Sequence, residues 1–299
     1  MIMKFAMTSD YLLTAGDPQA SLKRLADTGY THIIWCHNWN TDLAYTTYEF
    51  EAYRKMLRDY GLTLVDIHGS CGYEHNWFSV LEHQRLAGVE LVKNRLEMLR
   101  ALDGEGAVVM HQPRLKPRLP EAEVALKRQQ YISLRRSLDE LIPYLEKHKQ
   151  QIALENLPGD NWEFLAEIFR DYQTDRIGLC FDSGHANMKI KKHLAQVNEH
   201  CHLMLATHLH DNDASDDQHL PPFSGNSNWN RIAGILKKAK NVKVPAFEVL
   251  MGNTEFFDHK RSAGNQSEED IRKFLIFNRE QCEKVVRLIE NATDYSLEK

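Results

Sequence analysis

The sequence lacks the marks of a membrane protein, a secreted scaffold or a nucleic-acid binder. No apolar run approaches the roughly 20 residues that a membrane span requires. The five cysteines, Cys36, Cys71, Cys180, Cys201 and Cys282, are odd in number and scattered. None has Cys-x-x-Cys spacing, which argues against a disulfide framework or a zinc knuckle. The formal net charge is -5, so no global basic field draws the chain to nucleic acid or an anionic membrane, although a local basic groove stays open. The segment 1–9 is apolar but short; it reads as a strand and has no signal-peptide layout. A cytoplasmic protein is therefore expected. Neither a low-complexity segment nor a Pro/Gly/Ser linker divides the 299 residues, a length that suits one large α/β barrel or two ordinary domains.

What is present is an alternation of short apolar runs with longer amphipathic ones. The runs 3–7, 32–36, 62–68, 107–111, 151–155, 177–181, 204–210 and 244–249 are apolar nearly throughout, as strands buried on both faces should be. Between them lie helical stretches with readable punctuation. Asp17-Pro18 offers an N-cap and a first-turn proline, and Gly29 closes that helix. Further helices are expected over 46–60, 80–102, 120–149, 161–172, 192–199, 228–240 and 267–290, the last with an acidic, capped first turn. Eight strands alternating with helices predict a single (β/α)₈ TIM barrel over 1–299, with a C-terminal helical extension at about 267–291. The rival doubly wound sheet normally carries a glycine-rich turn after its first strand, and Thr8-Ser9-Asp10-Tyr11 is not one. The least regular stretch, 211–228, follows the seventh strand, where a barrel keeps its function.

Six of the eight runs end in, or lead directly into, a residue able to bind a divalent metal. These ends are Asp66-Ile67-His68, His111, Glu155, Asp182-Ser183-Gly184-His185, His208-Leu209-His210-Asp211 and Glu248. Any one of them has an ordinary explanation. His68 and His111 suit hydrogen-bonded core histidines, Asp182 a helix cap, and Asp217-Gln218-His219 a solvated loop. The coincidence is the signal, because strand ends of a barrel converge on one small volume. Three carboxylates there repel one another unless a cation compensates or some stay protonated. Carboxylates with imidazoles form an oxygen/nitrogen set for Zn, Mn, Co or Mg ions.

These residues resemble the xylose isomerase-like superfamily of TIM barrels, which holds sugar and sugar-phosphate isomerases and epimerases, inosose dehydratases and endonuclease IV. The resemblance spans nearly the whole chain. It rests on the ordered set Ala153-Leu154-Glu155-Asn156, Phe181-Asp182-Ser183-Gly184-His185, His208-Leu209-His210-Asp211-Asn212 and Phe247-Glu248. It implies Glu155, Asp182, His208 and Glu248 as metal ligands, with His210 as the alternative on the seventh strand, since both histidines precede an aspartate by three positions. It implies Glu155 and Glu248 as the catalytic pair and His185 as a substrate contact or second-metal ligand. In the endonuclease IV type, ligands also come from the third and fourth strands and from an Asp-x-His. His68, His111 and Asp217-Gln218-His219 stand in that order here, although Gln218 replaces that type's arginine.

The expected activity is therefore a divalent-metal-dependent isomerase or epimerase of a small sugar, working by proton transfer through an enediolate held by the metal. The site would take one ion or more than one. Trp35, Trp39, Trp77 and Phe223 are candidate walls for the sugar, with core packing as the alternative. A multinuclear zinc phosphodiesterase is the second expectation, with Arg114, Lys116, Arg118, Lys189, Lys191 and Lys192 as its basic residues. A dehydratase or lyase is the third. The expected partner is a carbohydrate rather than nucleic acid or membrane, and self-association through the long helices stays open.

Overall fold

Apolar runs with no polar face have to be covered on both sides, and the chain achieves this by closing its strands into a ring. A computed structural model describes residues 3–14, 18–116, 118–160, 162–188 and 193–293. The strands are β1 (Ala6–Thr8), β2 (His32–Trp35), β3 (Thr63–His68), β4 (Val108–Met110), β5 (Ile152–Glu155), β6 (Ile177–Asp182), β7 (Met204–His208) and β8 (Ala246–Phe247). The paired strands run parallel to their sequence neighbours, and β1 pairs with β8. The ring is completed between β7 and β8 by the Leu209–Phe247 bridge, with Leu209 N donating to Ala246 O at 2.9 Å and Glu248 N to Leu209 O at 3.1 Å. The eighth strand is shorter than the run 244–249 predicts. Pro245 has no N–H to give the ladder, and only its carbonyl serves, accepting from Ala6 N at 2.9 Å.

The helices are α1 (Gln19–Asp27), α2 (Thr47–Tyr60), α3 (Glu82–Ala101), α4 (Glu121–His148), α5 (Glu163–Asp171), α6 (Ser183–Asn187), α7 (His193–Glu199), α8 (Trp229–Lys238) and α9 (Glu268–Asn291). Their ends follow local chemistry. Thr46 and Glu49 form a reciprocal capping box before α2, and Gly61 ends that helix in the left-handed conformation at φ 67°. The expected helix starts at Asp17, Asn161 and Lys192 lie outside the described residues. The helix α9 follows β8 and takes the eighth place in the outer ring. It packs on α8 and covers β1, where Asn278 Nδ2 approaches Met7 Sδ and the Tyr30 hydroxyl, each at 3.1 Å.

Large side chains fill the layer between strands and helices, whereas the inner clusters are built mostly from small ones. One holds Ala6, Ile34, Cys36, Val65 and Ala246; another holds Ala107, Val109, Ala153, Cys180 and Ala206. Trp35 and Trp77, candidate sugar walls, belong to the outer layer and are fully buried. Among the described residues no helix is long and apolar enough to cross a membrane. The outer ring carries the stability, so Phe274→Ala on α9, fully buried against it, should cost about 3–5 kcal/mol, measured as a lowered urea midpoint. An unchanged midpoint would show that α9 does not belong to the cooperative core.

Candidate metal centre

Side chains alternate along a strand, so inward-facing residues at the C-terminal strand ends share one volume. Two groups meet there. The first joins β3, β4, β5, β7 and the end of β8. His208 Nδ1 lies 3.3 Å from Glu155 Oε2 and 3.0 Å from Glu248 Oε2, and His111 Nε2 lies 3.3 Å from the same Glu155 oxygen. His68 Nε2 completes it at 3.9 Å from Glu155 Oε2. The second group joins β6, the segment after β7 and the following loop. His210 Nε2 is 3.1 Å from Asp182 Oδ2 and 3.6 Å from Asp217 Oδ1. His185 Nε2 is 2.9 Å and His219 Nε2 3.4 Å from Asp217 Oδ2. The two groups touch where His185 Nδ1 comes within 3.0 Å of Glu155 Oε1.

All ten residues singled out from the sequence are thus brought together, and both strand-seven histidines enter. The choice between His208 and His210 resolves into two positions: His208 faces Glu155 and Glu248, and His210 faces Asp182 and Asp217. Neither aspartate of the two His-x-x-Asp patterns joins them. Asp211 accepts from Ser227 N at 3.0 Å and Trp229 Nε1 at 3.0 Å, and Asp213 accepts from Ser215 N at 2.9 Å, so both shape the loop instead. Asp182 is also the cap expected of it, accepting from His185 N at 2.6 Å at the start of α6.

The donor set fits a metal ion. His68 Nδ1 is 3.0 Å from Gly69 O, and His219 Nδ1 is 2.8 Å from Glu248 O. A carbonyl only accepts, so each Nδ1 carries a proton and each Nε2 faces the site, able to bind a metal when it is itself unprotonated. Several buried polar atoms of the site lack a well-aligned hydrogen bond: Glu155 Oε2, both nitrogens of His208, His210 Nδ1 and Asp217 Oδ1. Such orphans are costly unless something binds them. His68, His111 and Glu155 bring ligand atoms within 4.8 Å of one another, as do His68, His208 and Glu248. So do Asp182, His185 and His210, and again His210, Asp217 and His219.

The electrostatics describe the same demand. Burial pushes Glu155 up, but His208 and His111 outweigh it and hold the carboxyl well below its usual range. At Glu248 burial again pushes upward and His208 outweighs it, holding the carboxyl low; at Asp217, His185 and His219 do the same. The imidazoles move the other way. Burial presses on His208 and His185, yet the facing carboxylates raise both well above normal. His111 rises to about 10 against burial, through Cys71 and Glu155, and His219 to about 9 through Asp217 and Glu248. Only His68 falls, to about 4, through burial and the charge of His111. Protons on imidazole here do what a divalent ion would do: they neutralise a buried nest of carboxylates.

The apolar walls divide. Trp39 covers the first group, its ring centroid 4.7 Å from that of His68 and 5.3 Å from that of His111. Trp77 lies behind the site and donates from Nε1 to His111 O at 2.9 Å. Phe223 is exposed and rests on Trp229. Two groups at the mouth escaped the sequence reading. Cys71 sits beside His111. Asp10 follows β1, lies 3.8 Å from His37 Nδ1 and is pushed by burial to about 7. The strand-end rule that selects Glu155 also selects Asp10. Cavities of about 620 and 600 Å³ open at the N-terminal strand ends, around Ile177 and Val244, away from these residues.

A parallel eight-stranded barrel with carboxylates and imidazoles gathered at its C-terminal strand ends is an architecture of metal-binding TIM-barrel proteins. The chain belongs to the xylose isomerase-like TIM barrel family, whose model matches residues 22–269. The uncharacterized protein y4fM of Sinorhizobium fredii is 28% identical over 280 residues, 84% of this chain and 88% of that protein. The uncharacterized protein MJ1311 of Methanocaldococcus jannaschii is 28% identical over 211 residues, 64% of this chain and 70% of that one. Among solved structures, a D-tagatose 3-epimerase-like protein superposes with a TM-score of 0.69 at 21% identity, covering 96% of this chain and 98% of that one. A D-psicose 3-epimerase crystallised in the presence of D-fructose gives 0.69 at 14%, covering 95% and 99%. The 3-keto-D-glucoside 4-epimerase YcjR of Escherichia coli gives 0.66 at 14%, covering 93% and 99%. At these identities the likeness is one of fold.

Two predictions follow from the geometry. A Cβ on Gly184 would lie 1.9 Å from His210 Cε1, so Gly184→Ala should displace His210 and weaken Zn²⁺ binding about tenfold or more, read by competition with a chromophoric chelator. Undiminished affinity would exclude His210 from the ligands. The raised imidazoles also fix a pH dependence. At pH 7–8, His219 and His111, with values of about 9 and 10, hold protons that a metal has to displace. Apparent affinity should therefore strengthen from pH 7 toward pH 10, with protons released on binding; a flat profile between pH 7 and 9 would contradict this.

Proposed function

We propose that this chain is a divalent-metal-dependent isomerase or epimerase of a small sugar or sugar-derived carbonyl compound. The observation that carries the reading is the placement of Glu155 Oε2 and Glu248 Oε2 against one imidazole nitrogen of His208, at 3.3 and 3.0 Å, from strands on different sides of the barrel. Two carboxylates flanking one point suit the removal of a proton from a carbon and its return from the other side. Structures of a D-psicose 3-epimerase and an L-ribulose 3-epimerase, superposing over nearly the whole chain, support the same reading.

In this reading Glu155, Asp182, His208 and Glu248 hold the ion, and the mixed oxygen/nitrogen set accepts Mn, Zn, Co or Mg. When bound, the ion polarises the carbonyl and acidifies the neighbouring C–H. One glutamate takes that proton and the other returns it at the adjacent or inverted position. His185, held between Asp217 and Glu155, fixes a substrate oxygen. Trp39 excludes water from the side of His68 and His111. In Glu155→Gln and Glu248→Gln, deuterium exchange from solvent into a responding ketose should fall about 10²–10⁴-fold. Metal content by elemental analysis, run beside it, separates loss of the ion from loss of the base. Wild-type exchange in either variant would remove that glutamate from the mechanism.

The second group of ligands favours one other reading, a multinuclear zinc phosphodiesterase. Asp182, His185, His210, Asp217 and His219 form a set large enough for a further ion. Two or three zinc ions per chain with hydrolysis of a phosphodiester, and no exchange into any sugar, would replace the first reading with this one.

A further inference from the structure

Resting on the metal-centre reading above, we infer that Asn156, Ser183 and Thr207 are positioning residues, whose side chains form the last rungs of the barrel and set the ligand strands against one another. The backbone ladder stops short of the site. Its final pairs are Glu155 with Cys180 between β5 and β6, and Asp182 with His208 between β6 and β7. Between β7 and β8 the backbone contributes the Leu209–Phe247 bridge. Buried N–H and C=O groups around these ends need other partners. Three side chains supply them, each closing a two-bond clamp on one residue across the gap. Asn156 Nδ2 donates to Asp182 O at 2.9 Å, and Asp182 N donates to Asn156 Oδ1 at 2.8 Å. Ser183 Oγ donates to His210 O at 2.7 Å and accepts from His210 N at 2.9 Å. Thr207 Oγ1 donates to Ala246 O at 3.2 Å and accepts from Ala246 N at 2.8 Å. All three residues are buried.

Each clamp lies beside ligands of the centre. Asn156 follows Glu155 directly. It fixes the backbone of Asp182, whose Oδ1 accepts from His185 N at 2.6 Å and whose Oδ2 meets His210 Nε2 at 3.1 Å. The Asn156 carbonyl also lies 2.9 Å from His185 Nδ1. Ser183 follows Asp182 and holds the backbone of His210, so β6 and the segment after β7 are joined both through the ligand side chains and through this hydroxyl. Thr207 precedes His208 and holds Ala246, two residues before Glu248, and His208 Nδ1 stands 3.0 Å from Glu248 Oε2. The clamps thus follow one another from β5 to β8, each across a gap that two ligands face. Ligands drawn from separate strands have to be held to about 0.5 Å, which loose strand ends would not do. The single protons of the Ser183 and Thr207 hydroxyls are committed to carbonyls, so both act through the ligands beside them rather than on substrate. The stretch 189–192, with Lys189, Lys191 and Lys192, lies outside the described residues and takes no part in the argument.

Zn²⁺ is the probe. It is titrated against a chromophoric chelator into metal-free wild type and into Thr207→Val, Thr207→Ser, Ser183→Ala and Asn156→Ser, with urea midpoints measured beside it. Affinity should fall about tenfold or more in Thr207→Val and Ser183→Ala, and also fall in Asn156→Ser, whose side chain is too short to span the gap. Thr207→Ser keeps the hydroxyl and should bind as wild type does. In the metal-free proteins, spectra of isotope-labelled histidine side chains should show His208 moving in Thr207→Val and His210 moving in Ser183→Ala. Wild-type affinity in one variant removes that residue from the positioning set. Wild-type affinity in both Thr207→Val and Ser183→Ala overturns the inference even where the urea midpoint falls, because a purely structural part is then all that is left. An equal loss in Thr207→Ser and Thr207→Val overturns the Thr207 clamp. If wild type takes up no Zn²⁺, the metal reading falls, and the histidine signals decide the positioning role by themselves: unmoved signals overturn it.

Discussion

The arrangement of the barrel mouth depends on one electrostatic constraint: Glu155, Asp182, Asp217 and Glu248 point into a single small volume. Carboxylates taken out of water this closely would ordinarily stay protonated. Here Glu155, Asp217 and Glu248 shift the other way, because imidazoles oppose each of them. The set is therefore interdependent. Removing one carboxylate strands the imidazoles that faced it, and removing one imidazole strands carboxylates, each at the cost of an uncompensated buried charge. Little of this contributes net stability. That comes from the outer layer, where Trp35, Trp77, Phe274 and the leucines of α3 and α4 pack between strands and helices. The molecule keeps its costly charges inside the ring end and its apolar bulk outside the ring.

The two ligand groups are not independent either. Glu155 touches His208 and His111 with one oxygen and His185 with the other. Asp217 does the same for His210 on one side and for His185 and His219 on the other. His210 and His219 stack at 4.0 Å with nearly parallel rings, so a change in the charge of one is felt by the other. Glu155 is the joint between the groups: whatever takes up charge from its Oε2 would change its hold on His185, 3.0 Å from Oε1.

The eight strands were legible because strands buried on both faces leave dense apolar runs, and the gathering of acidic residues and histidines because barrel topology turns strand ends into neighbours. The unread parts have physical reasons. The helix α6, Ser183–Asn187, is too short to display a period; it exists because Asp182 caps it, and it aims His185 inward. Gly184 reads in sequence as a turn residue, yet its role is to make room for His210. His208 and His210 read as rivals because alternation puts both on one face. The chain leaves the regular strand at His208, and His210 turns toward β6. Trp35 and Trp39 look equivalent in sequence, yet one packs behind the strands and the other over the histidines. Asp10 carries no signal beyond its place at a strand end, because the turn Thr8-Ser9-Asp10-Tyr11 follows a strand of only three residues and holds a lone carboxylate without a motif around it.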